Sequence, residues 1–301
     1  MPLGFYYSPP DTHHPAFRDT SKPASTNWHG EPTRPEWQLY LQYMQLQLTE
    51  LLTRYGPVAL IWFDGLSDQQ KYDGKKVLEL IRRLQPATLV NDRIGIPGDF
   101  ETPEQFILKS IPIKKVNLNT MDRSTSEEPR FIVPPPEQFQ LWETCMTIND
   151  TWAYNANDRD FKSTRFLIRA LVEVASRGGN VLLNVGPRPD GTIQTEFQER
   201  LRSMGNWLAA NGDSIYGTTY GPVQEVDSVR TTSKENQIFV RVFDWPPGAL
   251  EISGNSARVL SARLLAGDQG LKFTQNDGIF RLDVPAQMPD ANVTTFALVT
   301  S

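Results

Sequence analysis

The sequence predicts an α/β domain built on parallel strands, followed by a small antiparallel β domain. Before about residue 213, continuous apolar runs alternate with segments of helical period, and polar residues follow each run. Beyond that point apolar and polar residues alternate between Gly and Asn-Asp-Gly turns, and no helical period remains. Because the two patterns are segregated, we expect two domains, at residues 1–217 and 218–301, with the boundary inside residues 213–222.

The first elements of the α/β domain follow from apolar periodicity and from Pro and Gly. An aromatic strand over residues 3–8 ends at Pro9-Pro10, and a polar loop over residues 9–34 holds all three histidines. Pro35 then opens a helix whose apolar residues recur at helical spacing up to a Gly cap. The order that follows is a buried strand at 58–63, a helix at 74–84, a strand at 88–90 and a loop-rich segment at 94–141.

The later elements are predicted by the same patterns. We expect a strand at 144–148, an amphipathic helix at 161–176, a buried strand at 180–185 and a helix at 195–211. Alternation over 237–243 and 280–284 is typical of strands in an antiparallel sheet.

Composition excludes several classes of function. The chain has 301 residues, with 30 basic against 35 acidic side chains and a net charge of −5, and this balance gives no electrostatic indication of nucleic-acid binding. Its single cysteine excludes a disulfide framework and a cysteine-based zinc site. The adjacent His13 and His14 point apart in an extended chain. No apolar run is long enough to span a membrane, and the first residues do not resemble a signal peptide. We therefore expect no metal, no cofactor, no nucleic acid and no membrane partner. The sequence does not indicate where in or outside the cell the protein acts.

The strongest local motif is Trp62-Phe63-Asp64-Gly65. It places a carboxylate at the end of a buried strand, where parallel α/β enzymes present a nucleophile or a base. The alternative is that Asp64 only caps a turn, because Asp-Gly is a common turn pair.

A second acidic segment lies close downstream. Asp99, Glu101 and Glu104 fall within a few residues of each other, and one of them would pair with Asp64 across a pocket. Two carboxylates are what cleavage of a glycosidic bond uses, one to protonate the leaving oxygen and one to attack or to activate water. The alternative is an acidic surface loop.

Arg93 follows a strand end, where it would clamp substrate hydroxyls or hold a carboxylate ionised; a structural ion pair is the alternative. Several tryptophans lie in loops or at strand ends, and their rings favour a carbohydrate pocket over a phosphate pocket, although each one alone is more typical of a core. They are Trp28, Trp62, Trp142 and Trp152.

Taken in order, these segments resemble the α-L-fucosidases of glycoside hydrolase family 29. The matching pieces run from residue 3 to about residue 217. They are Gly4-Phe-Tyr-Tyr-Ser8, Leu60-Ile-Trp-Phe-Asp-Gly65, Val90-Asn-Asp-Arg93, Gly98-Asp-Phe-Glu-Thr-Pro-Glu104, Trp142-Glu-Thr-Cys-Met-Thr147, Gly178-Gly-Asn-Val-Leu-Leu-Asn-Val-Gly-Pro187, Asp190-Gly191 and Asn211-Gly-Asp-Ser-Ile-Tyr216.

The resemblance implies a retaining exo-glycosidase on a partial or complete (β/α)8-like barrel with a C-terminal β-sandwich. It acts without a cofactor on fucosylated oligosaccharides or glycoconjugates. Asp64 matches the family nucleophile. Glu104 matches the general acid/base, with Glu101 and Asp99 as alternatives, and the two carboxyls would lie about 5–5.5 Å apart.

The resemblance also implies a set of residues that contact the sugar. Trp62 and Arg93 match sugar-contacting positions, and Trp152 matches an aromatic ring set against the fucose methyl group. Tyr7, or its neighbour Tyr6, matches a tyrosine that contacts the sugar.

One departure from the family concerns the barrel. Family members carry roughly half of the barrel, with its sugar-binding histidines, before the strand at which this chain begins. We therefore expect a fragment, a short natural member, or a homo-oligomer that completes the truncated barrel. His13, His14 and His29 are weak candidates to replace the missing histidines. The alternative functions are a non-catalytic fucose-binding remnant and an exo-glycosidase of another sugar specificity.

Overall fold

The computed structural model describes residues 2–65, 69–108, 115–117, 139–223, 228–253 and 257–301. The chain forms two compact units, Met1–Thr102 and Pro103–Ser301.

The first unit is a parallel sheet covered by helices. Its strands are β1 (Leu3–Tyr7), β2 (Val58–Phe63) and β3 (Leu89–Val90), and β2 lies in the centre. Its helices are α1 (Ala24–Asn27), α2 (Trp37–Arg54) and α3 (Gly74–Leu84), with 3-10 turns at Gln69–Tyr72 and Asp92–Ile94.

The two faces of this sheet have different surroundings. Ile61 and Phe63 share an apolar core with α2 and α3, and Tyr7, the register partner of Phe63, packs against that core. Successive side chains of a strand point to opposite faces. Tyr6 and its register partner Trp62 therefore lie on the other face, on which Asp64 also falls.

The second unit begins with a mixed set of strands and helices. It contains β4 (Phe106–Leu108) and β5 (Lys115–Asn117), which pair antiparallel, and β6 (Glu143–Thr147) and β7 (Asn180–Asn184), which pair parallel. Helix α4 (Thr164–Ser176) connects β6 to β7, and α5 (Thr195–Asn211) follows β7. The Ser163 side chain caps α4 by accepting a hydrogen bond from the Phe166 N–H.

The remaining strands form two antiparallel sheets with a common core. In chain order they are β8 (Thr219–Tyr220), β9 (Val229–Lys234), β10 (Gln237–Val242), β11 (Ala249–Ser253), β12 (Val259–Leu264), β13 (Gln269–Gly270), β14 (Phe273–Asn276), β15 (Ile279–Asp283) and β16 (Thr294–Thr300). One sheet has the order β13-β12-β16-β10-β9-β8 and the other β11-β15-β14. Side chains of both sheets, such as Val240 and Phe280, belong to one apolar cluster, as in a β-sandwich.

The structure confirms the predicted succession of parallel α/β elements and an antiparallel β-sandwich. In the described ranges the parallel strands form a three-stranded and a two-stranded sheet, and no closed barrel. The segment expected to be loop-rich contains the hairpin of β4 and β5, while its residues 109–114 and 118–138 lie outside the described residues. The domain boundary at 217 falls inside the second unit and stays a prediction.

Candidate active site

Asp64 lies at the carboxyl end of the central strand of the first unit. Its N–H donates to the Tyr7 carbonyl at 3.0 Å, which continues the pairing of β1 and β2 by one residue. In open parallel sheets, ligands bind beyond the carboxyl ends of the strands. The strand therefore presents the Asp64 carboxylate where a substrate would approach.

Asn91 fixes the backbone just before this carboxylate. Its fully buried side chain accepts from the Phe63 N–H at 2.8 Å and donates to the Phe63 carbonyl at 3.0 Å. Because β3 has only two paired residues, the Asn91 amide takes over the role of a further strand residue beside β2. This bond pair holds the end of β2 in an extended conformation.

Arg93 pairs with Asp64 from the 3-10 turn that follows β3. Its Nη1 donates to Asp64 Oδ1 at 2.7 Å, with 14% of the arginine side chain and 29% of the aspartate side chain exposed. The rest of the guanidinium is held by Thr102, whose hydroxyl and carbonyl oxygens each accept at 3.0 Å. The Thr102 hydroxyl in turn donates to Asp92 Oδ1 at 2.7 Å. The direction of the arginine is thus set by a chain of hydrogen bonds.

Two aromatic rings flank the same carboxylate. The Tyr6 hydroxyl donates to Asp64 Oδ2 at 2.5 Å. The Tyr6 and Trp62 rings stack with their centroids 5.8 Å apart and their planes 15° apart, and the Arg93 guanidinium lies 4.6 Å from the Trp62 ring centroid. Trp62 is buried, whereas 65% of Tyr6 is exposed. Each Asp64 oxygen therefore has its own donor beside an accessible aromatic face.

These contacts keep the carboxyl group ionised. Burial acts to raise the pKa of Asp64, but hydrogen bonds from the Tyr6 hydroxyl, the Gly65 N–H and Arg93 outweigh it, so this pKa lies below its ordinary value. At neutral pH Asp64 is a carboxylate, the form that a nucleophile needs.

Tyr7 lies on the opposite face of the sheet. Its hydroxyl donates to Gln47 of α2 at 2.8 Å, and burial raises its pKa well above the ordinary value. The tyrosine beside Asp64 is Tyr6. The period of two along a strand predicts that one of the two tyrosines shares a face with Trp62, but only the register shows which one.

Asp99 serves the scaffold. Its two carboxylate oxygens accept from Arg82 Nη2 at 2.6 and 2.5 Å, and one of them also accepts from the Val90 N–H at 2.7 Å. Asp99 thus ties α3 to β3. The neighbouring Glu101 follows a bridge between Phe100 and Asn91 and is partly buried.

Glu104 belongs to the second unit, where its segment runs beside β6. The Cys145 N–H donates to the Pro103 carbonyl at 3.2 Å, and the Gln105 N–H donates to the Cys145 carbonyl at 2.9 Å. Gln105 takes a left-handed conformation with φ of 57°, and its side-chain amide donates to Thr147 at 2.9 Å. Glu104 itself is exposed, on a segment anchored to the strand on both sides.

Trp152 is carried by the loop after β6. Its carbonyl accepts from the Asn184 side chain at the end of β7 at 2.7 Å, and 39% of the residue is exposed. Asp158 folds this loop by accepting from the N–H groups of Asp150 and Thr151 at 3.1 and 3.0 Å. Burial acts to raise the pKa of Asp158, but the bonds from Thr151 and from backbone N–H groups lower it overall. The exposed ring therefore stands on an ordered loop.

The other tryptophans and the histidines have other surroundings. Trp142 is buried, donates to the Arg177 carbonyl at 3.1 Å and covers Gly179, so it is a core residue. Trp28 is half exposed, with its ring centroid 3.6 Å from that of His29. His14 packs on α2, with its ring centroid 4.4 Å from that of Tyr43.

The described part of the chain holds no group of three or more His, Cys, Asp or Glu residues that could bind a metal ion. It also holds no helix of the length and apolarity that a membrane crossing requires.

The first unit brings together Asp64, Arg93, Trp62 and Tyr6, whereas Glu104 and Trp152 belong to the second unit. Sequence reasoning missed Asn91 and Thr102 as supports of Asp64 and Arg93. The only sequence signal for them is their position next to the strand ends, at Val90-Asn-Asp-Arg93 and Phe100-Glu-Thr102.

A profile of the family described as alpha-L-fucosidase matches residues 1–213. The alpha-L-fucosidase of Branchiostoma floridae is 36% identical over 163 residues, which cover 52% of this chain and 36% of that protein. The plasma alpha-L-fucosidase of Homo sapiens is 31% identical over 287 residues, which cover 90% of this chain and 55% of that protein.

Among solved structures, the alpha-L-fucosidase isoenzyme 1 from Paenibacillus thiaminolyticus superimposes with a TM-score of 0.82 at 32% identity, covering 100% of this chain and 72% of that chain. This chain therefore spans about half the length of the human plasma relative and a larger share of the bacterial one.

Proposed function

The chain belongs to the α-L-fucosidase family, and from that membership we propose that it hydrolyses terminal α-L-fucosyl residues of oligosaccharides or glycoconjugates with retention of anomeric configuration. For the fold, we infer that its parallel sheets are parts of a (β/α)8-like barrel, because parallel strands joined by helices, with polar residues at their carboxyl ends, are typical of that architecture.

The setting of Asp64 carries the proposal. Two donors, the Tyr6 hydroxyl and Arg93 Nη1, hold its two oxygens and favour the ionised form. An ionised, oriented carboxylate beside an exposed aromatic ring suits attack on the anomeric carbon of a sugar, whose apolar C–H face can lie on such a ring. We assign the role of nucleophile to Asp64.

The reaction then has two steps. In the first, an oxygen of Asp64 bonds to the anomeric carbon while the bond from that carbon to the leaving oxygen breaks, and Glu104 donates its proton to the leaving oxygen. In the second, a water oxygen bonds to the anomeric carbon, Glu104 takes the proton of that water, and the bond to Asp64 breaks. Two inversions at the same carbon give net retention.

The neighbours of Asp64 support this cycle. The carboxylate loses its charge when the covalent bond forms and regains it when the bond breaks, so Arg93 and Tyr6 stabilise Asp64 most as a leaving group in the second step. Tyr6 and Trp62 supply the aromatic surface next to the nucleophile. For Trp152, the proposal of a contact with the fucose methyl group is supported by its exposed ring on an ordered loop.

The first experiment measures release of the chromophore from an aryl α-L-fucoside by the purified chain, beside Asp64→Asn and a control, Asp268→Asn. Asp268 is a surface carboxylate with 80% of its side chain exposed. We expect release by the parent chain and the control, and a loss of at least about a thousandfold in Asp64→Asn.

A folded parent chain that binds fucose without turnover would favour a sugar-binding protein instead. Release from other aryl glycosides but not from the fucoside would indicate a different sugar specificity. A chain that neither binds nor hydrolyses any of these sugars would refute the proposal.

The acid/base assignment has a separate test. Glu104→Gln and Glu101→Gln are compared on two aryl α-L-fucosides, one with a good and one with a poor leaving group. Loss of the proton donor slows the substrate with the poor leaving group more, typically by about 10²–10⁴-fold. We expect that pattern for Glu104→Gln, and the same pattern in Glu101→Gln alone would move the role to Glu101.

A further inference from the structure

A fully buried arginine lies between the large sheet of the β-sandwich and the helical part of the second unit. Arg241 is on β10, where Ile238, Val240 and Val242 point into the core between the two sheets. Since side chains alternate along a strand, Arg241 points to the opposite face. There its Nη1 donates to the Ser214 carbonyl at 2.8 Å, at the end of the 3-10 turn that follows α5.

One edge of this guanidinium has no hydrogen-bond partner among the residues that the structure describes. Within the described part of the chain, neither Nε nor Nη2 of Arg241 has a hydrogen-bond acceptor, although both atoms are buried. These two N–H groups lie on the same edge of the planar guanidinium, the edge that binds carboxylates and other anions with two parallel hydrogen bonds. Buried donors without acceptors are rare in folded proteins, and each one indicates a water, an ion or strain.

The neighbouring strand carries a second buried polar group for which the described residues provide no partner. Thr295 on β16 is the direct register partner of Arg241, so their Cβ atoms are about 5 Å apart on the same face of the sheet. Thr295 is also buried, and its hydroxyl has no partner among the described residues. The two N–H groups of Arg241 and the Thr295 hydroxyl thus belong to paired residues on the same face of the sheet.

The charges nearby do not compensate Arg241 directly. Glu173 of α4 is the buried carboxylate on this side, and it accepts from Arg230 at 2.7 and 2.8 Å and from Arg177 at 3.0 Å. Burial lowers the pKa of Arg241 to about 9, while Glu173 acts to raise it and Arg230 to lower it. Arg241 is therefore a cation at neutral pH. A water molecule at its free edge would satisfy the hydrogen bonds but would add no negative charge, although Arg241 shares Glu173 with Arg230 and Arg177.

Solvent reaches the neighbourhood of Thr295 through a crevice of about 320 Å³ between α5 and β16. Thr295 and Asn211 belong to its lining, together with more exposed residues of α5 such as Asn206. The crevice thus extends to the strand that carries Thr295, and Asp290 also belongs to its lining.

We propose that the Nε/Nη2 edge of Arg241, together with the Thr295 hydroxyl, is a binding site for a small monovalent anion of the halide class. Bound there, the anion would neutralise the buried guanidinium and fasten the β-sandwich to the helical part of the second unit. This site is separate from Asp64 and does not depend on the proposed enzymatic activity.

Crystals grown with sodium bromide in place of chloride test the site directly. We expect an anomalous bromine peak within about 3.5 Å of Arg241 Nη2 and of the Thr295 hydroxyl. An ordered water with no bromine peak at that edge would overturn the proposal, and this result requires no variant to fold.

Thermal unfolding gives an independent readout. At constant ionic strength, replacing gluconate by chloride or bromide should raise the Tm, on the order of 5 °C at a halide concentration about a hundred times the Kd. Arg241→Gln should lose this halide-specific rise, and the surface variant Arg263→Gln should keep it. An equal rise in Arg241→Gln, or no difference between halide and gluconate in the parent chain, would contradict the proposal.

Discussion

Replacing Arg93 by methionine removes the guanidinium that pairs with Asp64 and keeps most of the apolar stem. The lost contacts include one charge-assisted bond to Asp64 at 2.7 Å, two bonds to Thr102 at 3.0 Å and the contact with the Trp62 ring. A hydrogen bond to a charged group contributes about 1.5–3 kcal/mol, and the guanidinium is the donor in all three of these bonds. Because Asp64 is partly exposed and water replaces some of the interaction, we expect Arg93→Met to lower the free energy of unfolding by about 2–4 kcal/mol.

The decrease in the free energy of unfolding that Arg93→Met causes should depend on pH in a defined direction. In the folded protein the pKa of Asp64 lies below its ordinary value, so the ionised carboxylate stabilises the fold above the unfolded-state pKa of about 3.9. This contribution disappears as the pH falls through the folded-state pKa. Without Arg93 the pKa of Asp64 rises. The difference between variant and parent should therefore be largest at neutral pH and shrink below about pH 4, with the part due to Thr102 remaining.

Chemical denaturation followed by tryptophan fluorescence, from pH 3 to pH 8, measures this difference. The matched control is Arg263→Met, because Arg263 pairs at 2.9 Å with an aspartate whose side chain is 80% exposed, and such surface pairs contribute at most about 1 kcal/mol. A loss in Arg93→Met no larger than in this control, or a loss that does not change with pH, would refute the reasoning.

Further predictions concern the supports of the site and the core. Asn91→Ala leaves the buried N–H and carbonyl of Phe63 without the Asn91 amide, so urea denaturation should show that the free energy of unfolding falls by about 2–4 kcal/mol. A fall of less than about 1 kcal/mol would mean that water replaces the amide. At Gly179 an added Cβ would lie 2.4 Å from the Trp142 ring, so Gly179→Ala should destabilise by about 1–3 kcal/mol. At Gly205, inside α5, an added Cβ would contact no neighbouring group within 4 Å, so Gly205→Ala should stabilise the fold by about 0.5–1 kcal/mol. Calorimetry distinguishes this stabilisation from the destabilisation expected for Gly179→Ala.

Local patterns were sufficient to predict most of the fold. The apolar run Val58–Phe63 and the helical periods of Gly74–Leu84 and Thr195–Asn211 coincide with β2, α3 and α5, because each element buries a continuous face of its own residues. The position of Asp64 at a strand end follows from the same pattern. The hairpin of β4 and β5 was not predicted, since its short strands lie in a segment without clear periodicity.

The details of the site depend on contacts between residues distant in sequence. Tyr6 and Tyr7 are adjacent and chemically identical, and the register of β1 against β2 decides which one meets Asp64. Asn91 supports a strand 28 residues away, which no local pattern encodes. The burial of Trp142 depends on the close approach of Gly179, so sequence alone could not distinguish it from an exposed sugar-binding ring.

The most direct test of the central claim is to trap the sugar on the protein. A 2-deoxy-2-fluoro-α-L-fucosyl fluoride forms the covalent intermediate faster than the intermediate is hydrolysed. After trypsin digestion, we predict that the added mass lies on the peptide of residues 55–71 and that fragmentation places it on Asp64 rather than on Asp68. A label on a different carboxylate, or hydrolysis of fucosides with no covalent label at all, would contradict the assignment of Asp64 as the nucleophile.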